Sequence, residues 1–300
     1  MARFKDYPEY LAFQILKGLI FLLPRKLCLF AGKILGLTLY YLDRRHRRIV
    51  RSNLKIAFGK ELPPNKLKKI ARGSFKHFGS VFMDIIKFPQ LNEKKKSQLI
   101  QVEGEEHLRS ALRKNKGVIT FSAHFGSWEI IQYFISQIGK FTVIARALDN
   151  KLLEKELLKL RTRHGSRVIY KHQATRQILK SLREKEIVGF LIDQNVQKHQ
   201  AVFIDFFGKR AATTPVLAVF LLKTGAPLVP FFCFPTSSFI HQIQFLKPLE
   251  IEQEGDYDQQ VLKITQLCTK IIEAQIRKNP EHWFWLHDRW RTRPDDEKED

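Results

Sequence analysis

The feature that most constrains the fold is an alternation of short apolar segments with amphipathic segments from residue 117 onward. The apolar segments have strand length, whereas the segments between them repeat with the 3.6-residue period of a helix. Strands are predicted at 117–121, 141–145, 167–170, 187–192, 228–234 and 239–246, with a further apolar segment at 202–207. Helices are predicted at 63–86, 128–138, 151–164, 174–184, 215–223 and 257–278. This order favours an α/β fold with a central, mostly parallel or mixed sheet flanked by helices.

The sequence HFGSWE, from His124 to Glu129, lies where the first strand of this series ends. Gly126 and Ser127 predict a turn and an N-cap for the helix that follows. Open α/β sheets bind ligands at the carboxyl ends of their strands. We therefore expect Glu129 to bind one ring nitrogen of His124 and leave the other free to take a proton from a substrate hydroxyl. The alternative is structural: a half-buried histidine and an acidic residue favoured at a helix N-terminus.

Two apolar segments occupy the N-terminus, at residues 11–23 and 27–42, and Pro24, Arg25 and Lys26 separate them. A spanning helix needs about 20 mostly apolar residues, and each segment is shorter and carries a lysine. Immersion in one leaflet and crossing of the bilayer both stay open, as does a buried hairpin of a soluble protein. The arginines that follow would attract anionic headgroups and keep the body of the protein in the cytoplasm. They are Arg44, Arg45, Arg47, Arg48 and Arg51.

The charge of the chain predicts an anionic partner. Lys and Arg number 52 against 30 Asp and Glu, which gives a formal net charge of +22. The sequence contains 24 Phe but only 7 Tyr and lacks zinc-finger spacing, RNP-like motifs and a Gly-rich phosphate loop. These features favour an anionic membrane over nucleic acid. Three widely separated cysteines and scattered histidines predict neither a disulfide framework nor a metal site.

The domain organisation follows from these segments. Residues 1–52 are predicted to form a membrane-associating segment of apolar helices with a basic strip. Residues 53–293 would form the catalytic α/β domain. Residues 294–300 are charged and lack apolar anchors, so we expect a disordered tail.

Several motifs in this order resemble one known family. They are SAHFGSWE at 122–129, IARALDN at 144–150, RTRHG at 161–165, LIDQN at 191–195, FFGKRAATTP at 206–215 and PEHWFWLHDRWRTRP at 280–294. The chain resembles the late acyltransferases of lipid A biosynthesis, a family that also includes actinobacterial phosphatidylinositol mannoside acyltransferases. The resemblance extends over nearly the full length.

The resemblance implies a fold like that of the glycerolipid acyltransferases and transfer of a fatty acyl chain from acyl carrier protein. The acceptor would be a hydroxyl of a lipid A precursor of the Kdo2-lipid IVA type, at the cytoplasmic face of the inner membrane. His124 matches the general base of the family and Glu129 its carboxylate partner. Arg146 is the candidate donor to the oxyanion, and Arg161 and Asp193 are candidate substrate-binding residues. No cofactor is implied, because the acyl carrier protein thioester supplies the acyl group.

Two other functions stay open at this stage. The same chemistry could act on another glycolipid, such as a phosphatidylinositol mannoside, since the motifs report the reaction and not the sugar. A non-catalytic basic protein that binds membrane or nucleic acid would have no need for the pair of His124 and Glu129.

Overall fold

The computed structural model describes residues 4–170, 174–251 and 254–297. Within these ranges the helices are α1 (Asp6–Leu22), α2 (Arg25–Leu42), α3 (Arg44–Phe58), α4 (Pro64–Lys87), α5 (Glu93–Gln98), α6 (Glu105–Leu112), α7 (Ile131–Ile138), α8 (Lys151–Thr162), α9 (Ala174–Arg183), α10 (Val216–Thr224) and α11 (Tyr257–Lys278). The strands are β1 (Ile100–Glu103), β2 (Val118–Ser122), β3 (Phe141–Ala145), β4 (Arg167–Tyr170), β5 (Ile187–Leu191), β6 (Val202–Phe206), β7 (Lys209–Thr213), β8 (Leu228–Pro235) and β9 (His241–Phe245).

A central sheet organises the domain, with strand order β1-β9-β8-β2-β5-β3-β4 among the described residues. Strands β8, β2, β5, β3 and β4 are mutually parallel, and β9 pairs antiparallel with β8. The predicted α/β fold with a mixed central sheet is thus confirmed. The apolar segment predicted at 202–207 becomes one arm of a separate hairpin, β6 paired antiparallel with β7.

The core lies on both faces of the sheet, because successive side chains of a buried strand point to opposite sides. Ile119 and Phe121 pack on the face covered by α10 and α11, whereas Val118 packs with Ile131 and Ile135 of α7 on the other face. Each such side chain contributes about 1.5–3 kcal/mol when fully removed from water. Strand β2 therefore ends in rigid surroundings.

Helix α2 packs very closely against α4, and glycines make this approach possible. A Cβ on Gly32 would collide with the carbonyl group of Gly79, and a Cβ on Gly36 would collide with the carbonyl group of Phe75. The second apolar segment is therefore joined directly to the α/β domain through the long helix α4. Asn150, which caps α8, also donates to the backbone carbonyl of Asp6 at 3.0 Å, so α1 is joined to the domain as well.

The outer faces of α1 and α2 are apolar and exposed. Their stripes repeat at helical spacing, and every member is more than half exposed: Leu11, Ile15, Leu19 and Leu22 on α1, and Leu27, Phe30 and Ile34 on α2. Among the helices in the described ranges, none has the length and apolar character needed to cross a bilayer.

Helix α3 carries the predicted basic strip. Arg44, Arg45, Arg48 and Arg51 are exposed. Arg47 instead donates to the carbonyl oxygens of Tyr40 and Tyr41 at 2.6 and 2.5 Å, so it caps the C-terminal end of α2. The predicted boundary between residues 52 and 53 lies within α3.

The charged C-terminal segment makes ion pairs in its described part, residues 294–297. Arg210 contacts Asp296 and Glu297 at 2.8 Å each, and Lys198 pairs with Asp295. Residues 298–300 of the predicted tail and residues 1–3 of the N-terminal segment lie outside the described residues.

The junction between α1 and α8 predicts one acid-sensitive contribution to stability. Burial alone raises the pKa of Glu156, but Lys159 at 2.8 Å and Lys17 at 2.6 Å outweigh it and lower the pKa to about 2. A lowered folded pKa stabilises the protein above the ordinary carboxyl pKa, and this contribution disappears as pH falls toward 2. Because both lysines are partly exposed, we expect it to be about 1 kcal/mol.

Urea unfolding of the wild type and of Glu156→Gln between pH 6 and pH 2.5 measures this contribution. The free energies of unfolding should differ at pH 6 and converge toward the acid end. A difference that is independent of pH would contradict the assignment.

Candidate active site

The candidate site forms where two neighbouring parallel strands end. Ser122, the last residue of β2, pairs in register with Leu191, the last residue of β5. His124 and Asp193 each follow two residues later, so they occupy equivalent positions at the carboxyl edge of the sheet. This is the edge at which open α/β sheets bind ligands.

Asp193 binds His124 through both the ring and the backbone. The Asp193 Oδ1 atom lies 2.9 Å from His124 Nδ1, and Oδ2 accepts from the His124 backbone N–H at 3.0 Å. Trp283 Nε1 also donates to Oδ2, at 2.8 Å. With an ionised carboxylate as acceptor, Nδ1 carries the proton and Nε2 keeps its lone pair. The His124 side chain remains 22% exposed, so a substrate can reach the ring.

The electrostatics of Asp193 favour its ionised form. Burial by itself raises the pKa of this carboxyl, but the His124 charge and the hydrogen bonds from His124 and Trp283 outweigh burial and hold the pKa below its usual value. Asp193 therefore presents a negative charge to the imidazole across the physiological pH range. Such a carboxylate fixes the ring orientation and stabilises the imidazolium that forms on proton uptake.

The expected hydrogen bond between Glu129 and His124 is absent from the described residues, which corrects the prediction from sequence. Glu129 Oε2 accepts from Gln132 Nε2 at 2.6 Å and from Arg161 Nε at 3.1 Å, and Oε1 pairs with Arg161 Nη2. The physical reason is that Asp193 already occupies Nδ1, while a two-point guanidinium pair is a stronger partner for Glu129. The helix also begins later than predicted, at Ile131 instead of residue 128.

The turn that carries His124 is held on both sides by the backbone. Gly126 N–H donates to the His282 carbonyl at 2.8 Å, and Ser127 N–H donates to the Cys233 carbonyl at 2.7 Å. Phe284 N–H donates to the His124 carbonyl at 3.0 Å. Gly126 has a φ of +59°, and a Cβ there would collide with the Cys233 carbonyl oxygen, so the turn requires glycine.

The two arginines predicted for the site, Arg161 and Arg146, lie in different surroundings. Burial lowers the pKa of Arg161, but the charge of Glu129 outweighs it and the pKa is raised. Arg146 follows β3, which β5 separates from β2. Its side chain is 79% exposed, 3.7 Å from Asp149, and has no contact with His124 or Asp193 in the part of the chain that the structure describes. The structure thus brings His124 and Asp193 together, pairs Glu129 with Arg161, and leaves Arg146 apart.

The C-terminal aromatic segment contributes a residue that the sequence did not reveal. Trp283 donates to Asp193 and is fully buried, so it supports the carboxylate from behind. Arg289 is also fully buried and donates to the Ala212 carbonyl at 2.6 Å and to Thr213 Oγ1, so it holds β7 in place. Burial lowers the pKa of Arg289 to about 10.

A cavity of about 50 Å³ with mostly apolar walls lies between α7 and the strands β3 and β5. The ring of Trp128, one of its walls, is 5.4 Å from the ring of His124. Other walls are Phe141, Ile144, Gly189, Phe190 and Phe231, and the pair of Glu129 and Arg161 forms part of the lining. In the described ranges, no cluster of three or more His, Cys, Asp or Glu side chains could hold a metal ion.

Comparison with known proteins relates the chain to acyltransferases. The bacterial lipid A biosynthesis acyltransferase family matches residues 4–292. The chain is 26% identical over 273 residues to the lipid A biosynthesis palmitoleoyltransferase of Escherichia coli K12, covering 91% of this chain and 87% of that protein. It is 24% identical over 255 residues to the phosphatidylinositol mannoside acyltransferase of Mycolicibacterium smegmatis, covering 83% and 81%.

A solved structure is also similar, the 1-acyl-sn-glycerophosphate acyltransferase of Thermotoga maritima. The TM-score is 0.40 at 14% identity, covering 85% of this chain and 97% of that chain. From the family match, this chain belongs to the bacterial lipid A biosynthesis acyltransferase family. It is therefore an enzyme that transfers acyl groups, and acyl transfer to a glycolipid of the lipid A type is supported.

Proposed function

We propose that the protein transfers a fatty acyl chain from an acyl carrier protein thioester to a hydroxyl of a lipid A precursor of the Kdo2-lipid IVA type. The observation that carries this proposal is the pair of His124 and Asp193, which leaves His124 Nε2 without a hydrogen-bond partner among the described residues. Trp128, whose ring is 5.4 Å from the His124 ring, lines an apolar cavity. A base with an orienting carboxylate suits activation of a hydroxyl. The acceptor oxygen is itself the nucleophile, so a covalent enzyme intermediate is not required.

The reaction would proceed in two steps. His124 Nε2 removes the proton from the acceptor hydroxyl while the oxygen bonds to the thioester carbonyl carbon, which gives a tetrahedral oxyanion. The carbon–sulfur bond then breaks, and the imidazolium returns the proton to the departing thiolate. Asp193 stabilises the imidazolium between the steps. Arg146, the oxyanion donor that the resemblance implies, would have to turn toward His124 when substrate binds, because its exposed guanidinium lies at the carboxyl end of β3 and β5 separates it from β2.

The apolar cavity would hold a few carbons of the acyl chain, because Trp128, one of its walls, lies beside His124 and its other aromatic walls carry no charge. At about 50 Å³ it would have to widen to hold the whole chain. The paired charges of Glu129 and Arg161 mark one side of it. We propose that this pair shapes the acyl pocket and does not orient the base. In this arrangement Asp193 orients His124, whereas Arg161 affects the shape of the acyl pocket by holding Glu129.

Gly189 offers a test of this pocket. Gly189 lies in β5, and a Cβ at this position would approach the ring of Phe141 to 2.7 Å. We expect Gly189→Ala to displace the ring into the cavity and shift donor preference toward shorter acyl chains, by about tenfold in relative kcat/KM. Competition between two acyl carrier protein thioesters of different chain length measures this preference. An unchanged preference in a folded variant would place the acyl chain elsewhere.

The N-terminal helices support the proposed place of action, the cytoplasmic face of the inner membrane. Exposed apolar stripes on α1 and α2 would enter the acyl region of one leaflet, while the exposed arginines of α3 would meet anionic headgroups. The net charge of +22 suits three anionic partners, namely acidic acyl carrier protein, a phosphorylated acceptor and the leaflet.

The decisive experiment incubates purified protein with an acyl carrier protein thioester and a tetraacylated lipid A precursor. We expect thiol release and an acceptor heavier by one acyl chain. Lipids from a strain lacking the protein distinguish the acceptors by mass spectrometry, since either lipid A or another glycolipid loses an acyl chain. Absence of thioester consumption, with tight DNA binding at physiological salt, would instead favour the basic binding protein.

A further inference from the structure

An open cavity next to the HFGSWE turn has no role in the acyl transfer described above. This cavity of about 410 Å³ lies between α2, α4 and the turn that joins β8 to β9. Ser127 of the HFGSWE turn forms part of its wall, whereas His124 does not. A volume of this size accommodates a sugar headgroup, which is a small-molecule ligand by ordinary standards.

Two lysines line the cavity from opposite helices. Lys33 comes from α2 and Lys76 from α4. Within residues 4–170, 174–251 and 254–297, neither ammonium group has a carboxylate oxygen within 4 Å. Lys33 Nζ instead lies 4.7 Å from the centre of the Phe239 ring. Two cations without ion-pair partners, facing one cavity, favour an anionic ligand such as a phosphate group.

Several neutral polar groups of the wall have no partner among the residues that the structure describes. The hydroxyl groups of Ser80, Ser127 and Ser237 form no hydrogen bond with other described residues. Three atoms of further wall residues are buried and lack a hydrogen-bond partner in the described structure: His77 Nε2, His282 Nδ1 and Thr236 Oγ1. Because these three atoms have almost no accessible surface, the groups that could bind a ligand here are the serine hydroxyls and the lysines.

The carboxylates of the cavity wall indicate which further groups the ligand would carry. Asp84 is neutralised by Arg25, whose guanidinium binds it at 2.8 and 2.6 Å. Burial raises the pKa of Glu281, while Lys69 and Lys76 act in the opposite direction. The Glu281 carboxylate can accept hydrogen bonds from hydroxyl groups. The wall thus combines cations for a phosphate with acceptors for sugar hydroxyls.

We propose that this cavity binds the phosphorylated, hydroxyl-rich headgroup of a membrane glycolipid, with Lys33 and Lys76 contacting its phosphate. The proposal rests on the proposed function, because the glycolipid would be the acyl acceptor. Lys33 lies on the same helix as the exposed apolar residues Phe30 and Ile34, so the phosphate would bind at the membrane surface. Ser127 connects the cavity to the turn of His124, so the headgroup would be held beside the base.

Kinetics with matched acceptors test the site. The double variant Lys33→Ala with Lys76→Ala should raise KM for the phosphorylated precursor by about 10- to 100-fold and leave kcat nearly unchanged. For the same precursor after phosphatase treatment, the variant should change KM by less than about threefold. Lys68→Ala, an exposed lysine of α4 outside the cavity, should behave as the wild type with both acceptors. An equal effect on both acceptors, or no effect, would overturn the proposal.

A binding measurement separates failure of this site from failure of the acyl-transfer function. Calorimetry with glucosamine 1-phosphate, glucosamine and inorganic phosphate requires no turnover. We expect the wild type to prefer glucosamine 1-phosphate and the double variant to lose that preference. Equal binding of inorganic phosphate would show an adventitious ion only, and unaltered binding by the double variant would also overturn the proposal.

Discussion

Replacing His124 with alanine is expected to lower kcat by about 10²- to 10⁴-fold, the usual contribution of a positioned general base. KM for both substrates should stay near the wild-type value, because Nε2 acts on the proton that moves in the transition state. Initial rates of thiol release from an acyl carrier protein thioester measure the loss. The melting temperature of the variant should match the wild type, since the ring is partly exposed and its hydrogen-bonded partner also binds Trp283.

Two conservative substitutions decide which carboxylate serves the histidine. Asp193→Asn removes the negative charge beside Nδ1 and should lower kcat by about 10²-fold or more, since the imidazolium loses its counter-ion. Glu129→Gln weakens the pair with Arg161 and should act mainly on acyl-chain selection, with a smaller effect on kcat. A folded Glu129→Gln enzyme as inactive as His124→Ala, beside an active Asp193→Asn enzyme, would support the pairing predicted from sequence instead.

The positions of the strands and of the histidine could be predicted because local signals determine them. The predicted strands at 141–145 and 167–170 agree with β3 and β4, and the predicted helix at 257–278 agrees with α11. Each of these segments shows the hydrophobic period of its strand or helix, and its two ends are clear in the sequence. The placement of His124 at the end of a strand follows from the same local pattern.

The partner of His124 could not be read in the same way, because it depends on the order of strands in the sheet. Glu129 is five residues away in sequence, whereas Asp193 is 69 residues away. Strands β3 and β4 lie between β2 and β5 in the chain, yet β2 and β5 are neighbours in the sheet. One signal was available: His124 and Asp193 each follow the end of an apolar strand by two residues. The contribution of Trp283 depends on the return of the C-terminus to this edge and has no local signal.

Replacing Asp84 with alanine should be the most destabilising single change, about 3–5 kcal/mol in the free energy of unfolding. Asp84 of α4 binds Arg25 of α2 through two hydrogen bonds, and His241 Nε2 lies 2.9 Å from both side chains. The exposed fractions are 9% for Arg25, 5% for Asp84 and 0% for His241. Removal of the carboxylate leaves the Arg25 guanidinium buried without a counter-ion. This unpaired charge would lie between α2 and α4, where the N-terminal helices join the domain.

Urea unfolding of three variants tests whether the penalty comes from the unpaired charge. Asp84→Ala should lose most, whereas Arg25→Met combined with Asp84→Leu should lie much nearer the wild type, because no buried charge is then left over. Glu61→Ala breaks an exposed pair with Arg277 and should cost less than about 1 kcal/mol. Equal losses for the single and the double replacement would mean that shape, and not charge, holds α2 against α4.

Burial raises the pKa of Asp84, but His241 and Arg25 outweigh it and lower the pKa. The wild-type pair should therefore keep its contribution at neutral pH and lose it only as pH falls below the ordinary carboxyl pKa.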